Sequence, residues 1–225
     1  MSVVPSARAR RPVPKILTSP VAVIGGAIVL FWVVVAAFAP LFAPYGPVEQ
    51  MTPFITPGQT GPDGNFHLLG TDHLGRDVLS RIVWGGRRVL FYAVVATASA
   101  YAVGVTMGLI AGYVRGWVDD VVSTIANIVL SFPVLVLYVV IIATFGASGT
   151  NIVLAVTFAS APGIMRIVRG LVLDLRNRDY VASAQTRGES GLYIMFVEIL
   201  PNATSLLIVD ACLRLGYVTI TIGVL

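Results

Sequence analysis

Charge is scarce in this sequence. Only 12% of its 225 residues are Asp, Glu, Lys or Arg, against 56% hydrophobic, with a mean hydropathy of +0.87. That leaves too little polar surface to cover a soluble globule of this size. Lysine is reduced to Lys15 in the N-terminal tail, and no G-x-x-x-x-G-K-[ST] phosphate loop occurs, so nucleotide hydrolysis by this chain is excluded. Cysteine is reduced to Cys212, which rules out a disulfide framework or a cysteine metal cluster and reads as an inert buried thiol. Also missing are a Gly-x-Ser-x-Gly elbow, a His-Glu-x-x-His pair and a pocketed carboxylate dyad, so hydrolase chemistry has no residues to work with.

Long apolar runs fill the place of these features. A helical membrane span needs roughly 20 apolar residues. The run from Pro20 to Ala39 contains no charge and ends at Pro40. It is too long for a cleaved leader and is followed by a proline-rich loop. Further runs cover about 89–113, 118–145 and 152–168, and a fifth begins near Ala203 and is still running at Leu225. The expected fold class is all-α, a polytopic transmembrane helical bundle with five visible spans. Its divisions are a tail at 1–19, a first span at 20–39, an outer loop at 40–88 and a core at 89–225.

Arginines set the expected orientation. Arg8, Arg10 and Arg11 precede the first span with Lys15, and Arg166, Arg169, Arg176, Arg178 and Arg187 follow the fourth. Basic segments stay in the cytoplasm, which places the N-terminus and residues 169–202 inside and residues 40–88 outside. Arg76, Arg81, Arg87 and Arg88 oppose the rule in the outer loop, where those near the second span can snorkel to the interface. Residues 40–66 hold six of the thirteen prolines and read as irregular chain. Beyond them, Leu74, Val78, Leu79, Ile82 and Val83 recur at helical spacing, predicting an amphipathic helix on the outer face. His67 and His73 are expected to be surface residues, since a metal site needs more ligands than these two.

Within the spans, Gly104, Gly108, Gly112 and Gly116 recur every four residues and predict one smooth helix stripe, either static packing or a sliding surface. Pro133 in "SFPVL" predicts a kink. Asp210 and Arg214, four apart, share a helix face. Counted from Ser205 they lie roughly 7 and 13 Å into the hydrocarbon, where an unpaired charge costs at least ~2.5 kcal/mol. They form either a structural ion pair or part of a polar pathway.

The stretch "DYVASAQTRGESGLYIMFVEILPN", residues 179–202, is polar and small before Gly188 and apolar after it. Ala182, Ser183 and Ala184 allow close approach, Gly188 suits a left-handed turn, and Leu192, Tyr193, Phe196 and Leu200 supply a second helix before Pro201. This is the pattern of a docking element.

Tyr180-Val181-Ala182-Ser183-Ala184 with Gly188 and Ile199-Leu200-Pro201-Asn202 resembles the cytoplasmic "EAA" loop of ABC-type importer permeases. "LLGTDHLGRDVLSRIVWGGRRVL", "GYVRGWVDDVVS" and "SFPVL" are similar to segments of the second permease subunit of dipeptide, oligopeptide and nickel importers. The resemblance covers nearly the whole chain. It implies the type I importer fold in the bacterial inner membrane and a heterodimer with a second permease. It further implies two cytoplasmic ATP-binding subunits or domains that hold ATP and Mg, an extracytoplasmic solute-binding protein, and no cofactor or nucleic acid on this chain. ATPase coupling falls on Tyr180, Ala182, Ser183, Ala184, Gly188, Glu189 and Pro201. Ala182 stands where the family commonly has glutamate, so an ion pair there is missing or shifted, with Glu189 as its substitute. A sixth span is implied past the position of Leu225. Peptides are the first expected substrate and nickel the second. From other classes, an ion-coupled secondary transporter would use Asp210 and Arg214 as a relay, and a membrane scaffold would need only the glycine stripe.

Overall fold

The computed structural model describes residues 19–224, so the basic tail used for orientation lies outside the described residues. The chain divides into two compact units, Met1–Arg88 and Val89–Leu225.

In the first unit, α1 (Pro20–Ala37) opens with proline at a position where a helix has no use for an N–H. Its side chains are apolar all round and almost all exposed in the isolated chain, as suits a helix whose solvent is lipid. Only its end is packed: Val35, with Ala39 of α2 (Ala39–Phe42), joins Val83 and the partly buried Leu79 and Trp84. Residues 43–77 are irregular apart from a short antiparallel pair, β1 (Gln59–Thr60) and β2 (Phe66–His67).

Two expectations for this region are corrected. First, the amphipathic helix expected over Leu74, Val78, Leu79, Ile82 and Val83 is not a separate element. Residues 71–77 form a turn closed by a Thr71–Asp77 bridge, with Gly75 at φ +75°. Helix α3 (Val78–Val114) begins only after it. Asp77 starts it, accepting the Ser80 N–H on Oδ2 at 2.8 Å and the Ser80 hydroxyl at 2.7 Å. Leu74 is left exposed in the turn. Second, His67 is not a surface residue. Its ring is fully buried, Nδ1 lies 3.0 Å from Asp77 Oδ1, and the ring of Tyr45 packs 5.1 Å away. His73 is exposed as expected, and the described residues contain no group of three metal-ligating side chains.

Asp72 holds the same turn from outside. It accepts the N–H groups of Leu74 and Arg76 and the side chains of Arg76 and Arg81 at 2.6–3.0 Å. The backbone N–H of Arg76 is the main reason its carboxyl titrates well below the usual range. Because the folded-state value is depressed, the contribution to stability is complete above the ordinary carboxylate pKa and fades only as pH falls through the lower, folded one.

The regular elements described in the second unit are all helices: the rest of α3, then α4 (Gly116–Leu130), α5 (Val134–Phe145), α6 (Gly149–Leu175), α7 (Asp179–Thr186), α8 (Gly191–Tyr193) and α9 (Leu200–Val224). Four continuous helices are long and apolar enough to span a membrane, one of them Gly191–Val224 taken through its π-helical turn, and α4 with α5, bent by 85° at their junction, pass the same test as a pair, the signature of a broken span or a re-entrant loop. The kink expected at Pro133 is thus a full break over Ser131–Pro133. The Ser131 side chain donates to the Ile128 carbonyl at 2.7 Å and ends the first half. Pro162 has the opposite outcome. It is buried inside α6, which continues unbroken for 27 residues, longer at both ends than the span expected at 152–168.

The fifth span also starts earlier than expected, and Cys212 on it is exposed in the isolated chain rather than buried. The helix expected to end at Pro201 passes through it, with Ile194–Ile199 widened into a π-helical turn in which the Leu200 N–H donates to the Met195 carbonyl. Proline offers no N–H to the preceding turn. The wider turn shifts the hydrogen-bond register at the proline, and the Asn202 side chain donates to the Glu198 carbonyl one turn back at 2.7 Å.

Candidate coupling site and intramembrane polar cluster

Residues 176–202 fold back onto the Val114/Leu175 ends of α3 and α6. Arg176 makes the corner by donating from Nη1 to the carbonyls of Gly112 and Tyr113, 3.4 and 3.2 Å away, in the last turn of α3. A cation there satisfies carbonyls that the helix leaves without partners. Helix α7 follows, and Gly188 turns the chain at φ +77°, in the left-handed region. Ser190 then caps α8 by accepting the Tyr193 N–H. Arg187 closes the turn, with Glu198 3.2 Å and Glu189 3.7 Å from its guanidinium.

The two faces of this helical hairpin differ. Val181, Ala184, Ile194, Met195 and Ile199 are buried in one cluster with Leu109, Ile164, Val168, Val172, Ala203 and Leu207. Ala182, Ser183, Leu192, Phe196 and Val197 face outward. The three small residues expected to form one approach surface therefore divide. Ala184 is fully buried and lets α7 lie close to the span bundle, while Ala182 and Ser183 remain open. Tyr180 is partly buried on the inner face, and its hydroxyl has no partner among the described residues; burial raises its pKa. Glu189 sits at the turn beside Arg187, and Pro201 is exposed at the start of α9.

Glycines bring α3 and α6 together. A Cβ on Gly104 would lie 2.7 Å from the Ala161 carbonyl, one on Gly108 2.6 Å from Val168 Cβ, and one on Gly112 2.7 Å from Val172 Cβ. Backbone meets side chain with no space between, the close approach for which small residues are used in membranes. Gly116 does not belong to this seam. Helix α3 ends at Val114, and Gly116 serves the reversal into α4 at φ +59°, with open space where a side chain would be. Four-residue spacing puts residues on one face only while the helix lasts.

On another face of α6, Arg169 forms a two-pronged ion pair with Asp119 of α4, Nε to Oδ1 at 2.5 Å and Nη2 to Oδ2 at 2.6 Å. Ser123 adds a hydrogen bond to Asp119, and Arg166 donates to Asn127 at 2.8 Å. Asp210 and Arg214 do meet on α9, Nε to Oδ2 at 2.7 Å, and Tyr101 of α3 donates its hydroxyl to the same oxygen.

Residues 104–225 match the family described as the binding-protein-dependent transport system inner membrane component, and residues 14–62 match the N-terminal TM domain of oligopeptide transport permease C. The chain belongs to this permease family. It is 37% identical over 191 residues to the dipeptide transport system permease protein DppC of Haemophilus influenzae, covering 84% of this chain and 65% of that one. The glutathione transport system permease protein GsiD of Pectobacterium atrosepticum is 34% identical over 207 residues, covering 92% and 68%. The di/tripeptide transport system permease protein DppC of Pseudomonas aeruginosa is 38% identical over 194 residues, covering 84% and 64%. The chain thus spans about two thirds of the length of these relatives. Family and fold agree in making it a multi-pass, all-α membrane permease.

Sequence reasoning missed three parts of this permease's site. Asp119 and Arg169 are separated by 50 positions, and their only local signal was a carboxylate at the start of an apolar span. Tyr101 had no signal at all among the aromatics of α3. The π-helical turn was legible only indirectly, from a proline following an apolar helix with too few residues to end there.

Proposed function

We propose that this chain is one permease subunit of an ATP-driven importer for short peptides. It forms half of the translocation pathway beside a second, related permease. The complex holds two ATP-binding subunits or domains that hydrolyse ATP with Mg, one of which docks on the 179–202 hairpin of this chain, and an extracytoplasmic solute-binding protein delivers the peptide. The N-terminus and the hairpin lie on the cytoplasmic side, as the arginine distribution requires. The printed names of its relatives, for dipeptide, di/tripeptide and glutathione transport, support peptides as the substrate class.

The observation that carries this reading is the two-faced hairpin. Its outer face offers Ala182 and Ser183, small enough for a partner's backbone to approach, flanked by exposed Leu192 and Phe196. Its inner face is continuous with the packing of α3, α6 and α9. A close-packed interior deforms little, so a push on the outer face moves the three spans with the hairpin rather than compressing it.

Gly188→Val tests it. The position has room for a side chain, so the damage is conformational: a β-branched residue at φ +77° costs about 1–2 kcal/mol and resists the turn. In vesicles holding the whole complex, peptide uptake is expected to fall at least tenfold while membrane insertion is unchanged, and ATP hydrolysis persists without stimulation by loaded binding protein. Normal stimulated uptake would reduce the hairpin to a linker.

A further inference from the structure

Four carboxylates lie in residues 40–88, and each is already engaged. Glu49 accepts the Gly46 N–H and Asp63 the Asn65 N–H. Asp72 takes Arg76 and Arg81, and Asp77 takes His67 and Ser80. Arg87 and Arg88 are left over. Both are exposed, and neither has a hydrogen bond or an ion pair among the described residues. In the orientation proposed above they also stand outside, where the distribution of basic residues disfavours them.

Their surroundings are those of a membrane surface. The uncharged run 89–113 begins at the next residue. The Arg87 guanidinium carbon lies 5.6 Å from the centre of the Trp84 ring, which steadies it by a cation–π contact. One residue before the pair, a Cβ on Gly86 would lie 3.7 Å from the Trp32 ring, so α1 rests against α3 just there. Trp32 is itself 40% exposed, Phe31 meets it edge-on at 5.7 Å, and both Phe31 and Ile28, one turn back along α1, are more than half exposed. Helical side chains lean toward the N-terminus of their helix. For α3 that direction leads away from the uncharged run, so the two guanidinium groups rise toward the headgroup layer while the rings and Ile28 face hydrocarbon.

We propose that Arg87 and Arg88, with the Trp32 edge of α1, form a binding site for an anionic phospholipid such as phosphatidylglycerol. Its phosphodiester bridges the two guanidinium groups, for which a phosphate is a geometric as well as an electrostatic match, and its acyl chains lie against Phe31 and Ile28. An acidic protein surface would complement the charges but leave the apolar face bare. The lipid fastens α1 to α3 at a point where the chain supplies no counter-ion. Only its assignment to the outer leaflet rests on the orientation proposed above; the site follows from α1 and the start of α3.

The test follows the melting temperature of the whole complex in dodecyl maltoside as dioleoyl phosphatidylglycerol, dioleoyl phosphatidylcholine or inorganic phosphate is added. A ligand of the folded state alone raises that temperature. Phosphatidylglycerol is expected to act at about 30-fold lower concentration than phosphatidylcholine, a factor of about five for each arginine, and inorganic phosphate to have no effect. Arg87→Gln with Arg88→Gln changes only exposed side chains, so the complex should assemble, and at least about tenfold of the preference should disappear. Arg87→Lys with Arg88→Lys keeps the charge and should keep most of the preference. An undiminished preference in the glutamine variant would place the lipid elsewhere and overturn the site. So would a wild-type complex that does not distinguish the two lipids, a lysine variant as impaired as the glutamine one, or inorganic phosphate acting as well as the lipid, which would mean a free anion only. Each of these results leaves the importer reading untouched, since that stands or falls on peptide uptake.

Discussion

Helix α6 meets α3 by packing alone and α4 by packing to which ion pairing is added. Toward α3 it presents Ile164, Val168 and Val172, all buried, to a row of glycines, and the seam is dry and closed to within contact distance. Toward α4 it presents Arg166 and Arg169 to Asn127 and Asp119, so charge and hydrogen bonds join the buried Met165–Ala126 contact in holding the seam. Lipid gives two apolar helices no hydrophobic reason to associate, so the first seam depends on fit and the second on finding every polar group a partner. A dry seam fails when its volume changes. A polar seam fails when its charge balance changes, and it tolerates a change of shape better.

Gly108→Leu should break this contrast most severely. Its side chain would need the space of Val168 and of the Met165 carbonyl, only 2.7 Å from the first added carbon, and the backbone cannot yield as a flexible side chain would. Overpacking on this scale costs ~3 kcal/mol or more, and we expect insertion into the membrane but no complex recoverable by copurification.

Asp119→Ala should rank second. It leaves Arg169 a third exposed but without its two-pronged partner, and we expect a loss of about 2 kcal/mol, less than for a fully buried pair. Combining it with Arg169→Met should recover most of the thermal stability of the detergent-solubilised complex. The opposite result, a double variant no better than the single one, would mean that α4 and α6 are held by something other than charge balance.

Gly116→Ala should be the mildest, and it sharpens the comparison because the residue lies on the same four-residue spacing as Gly108. With open space around it, only the positive φ resists a methyl group, at about 1 kcal/mol. A few degrees of lowered melting temperature with normal uptake is expected. Loss of assembly comparable to that of Gly108→Leu would place it in the seam after all.

Much of this was legible in the order of residues. Apolar runs located the spans because a bilayer demands length and uncharged composition, both of which are local. The turn at Gly188 was legible because small and polar residues give way to apolar ones there, and only a residue without Cβ adopts its backbone freely. Repetition every four residues marked the glycine seam but overran it by one, since periodicity does not say where a helix ends. Pro133, Pro162 and Pro201 look alike in sequence, yet one breaks a span and two do not.

What the amino-acid sequence determined by itself was therefore membrane residence, the family, the positions of the spans and the ion-paired spacing of Asp210 and Arg214. The tertiary structure alone decided that Ala184 faces in while Ala182 and Ser183 face out, that Arg169 pairs with Asp119, that His67 is buried against Asp77, and that Tyr101 of α3 joins Asp210 and Arg214 of α9. The reason is physical. Helix propensity and hydropathy act over a few neighbouring residues, whereas burial and pairing belong to surfaces that meet only when distant helices are brought side by side, in a solvent that leaves backbone and buried charge no partner but the protein itself.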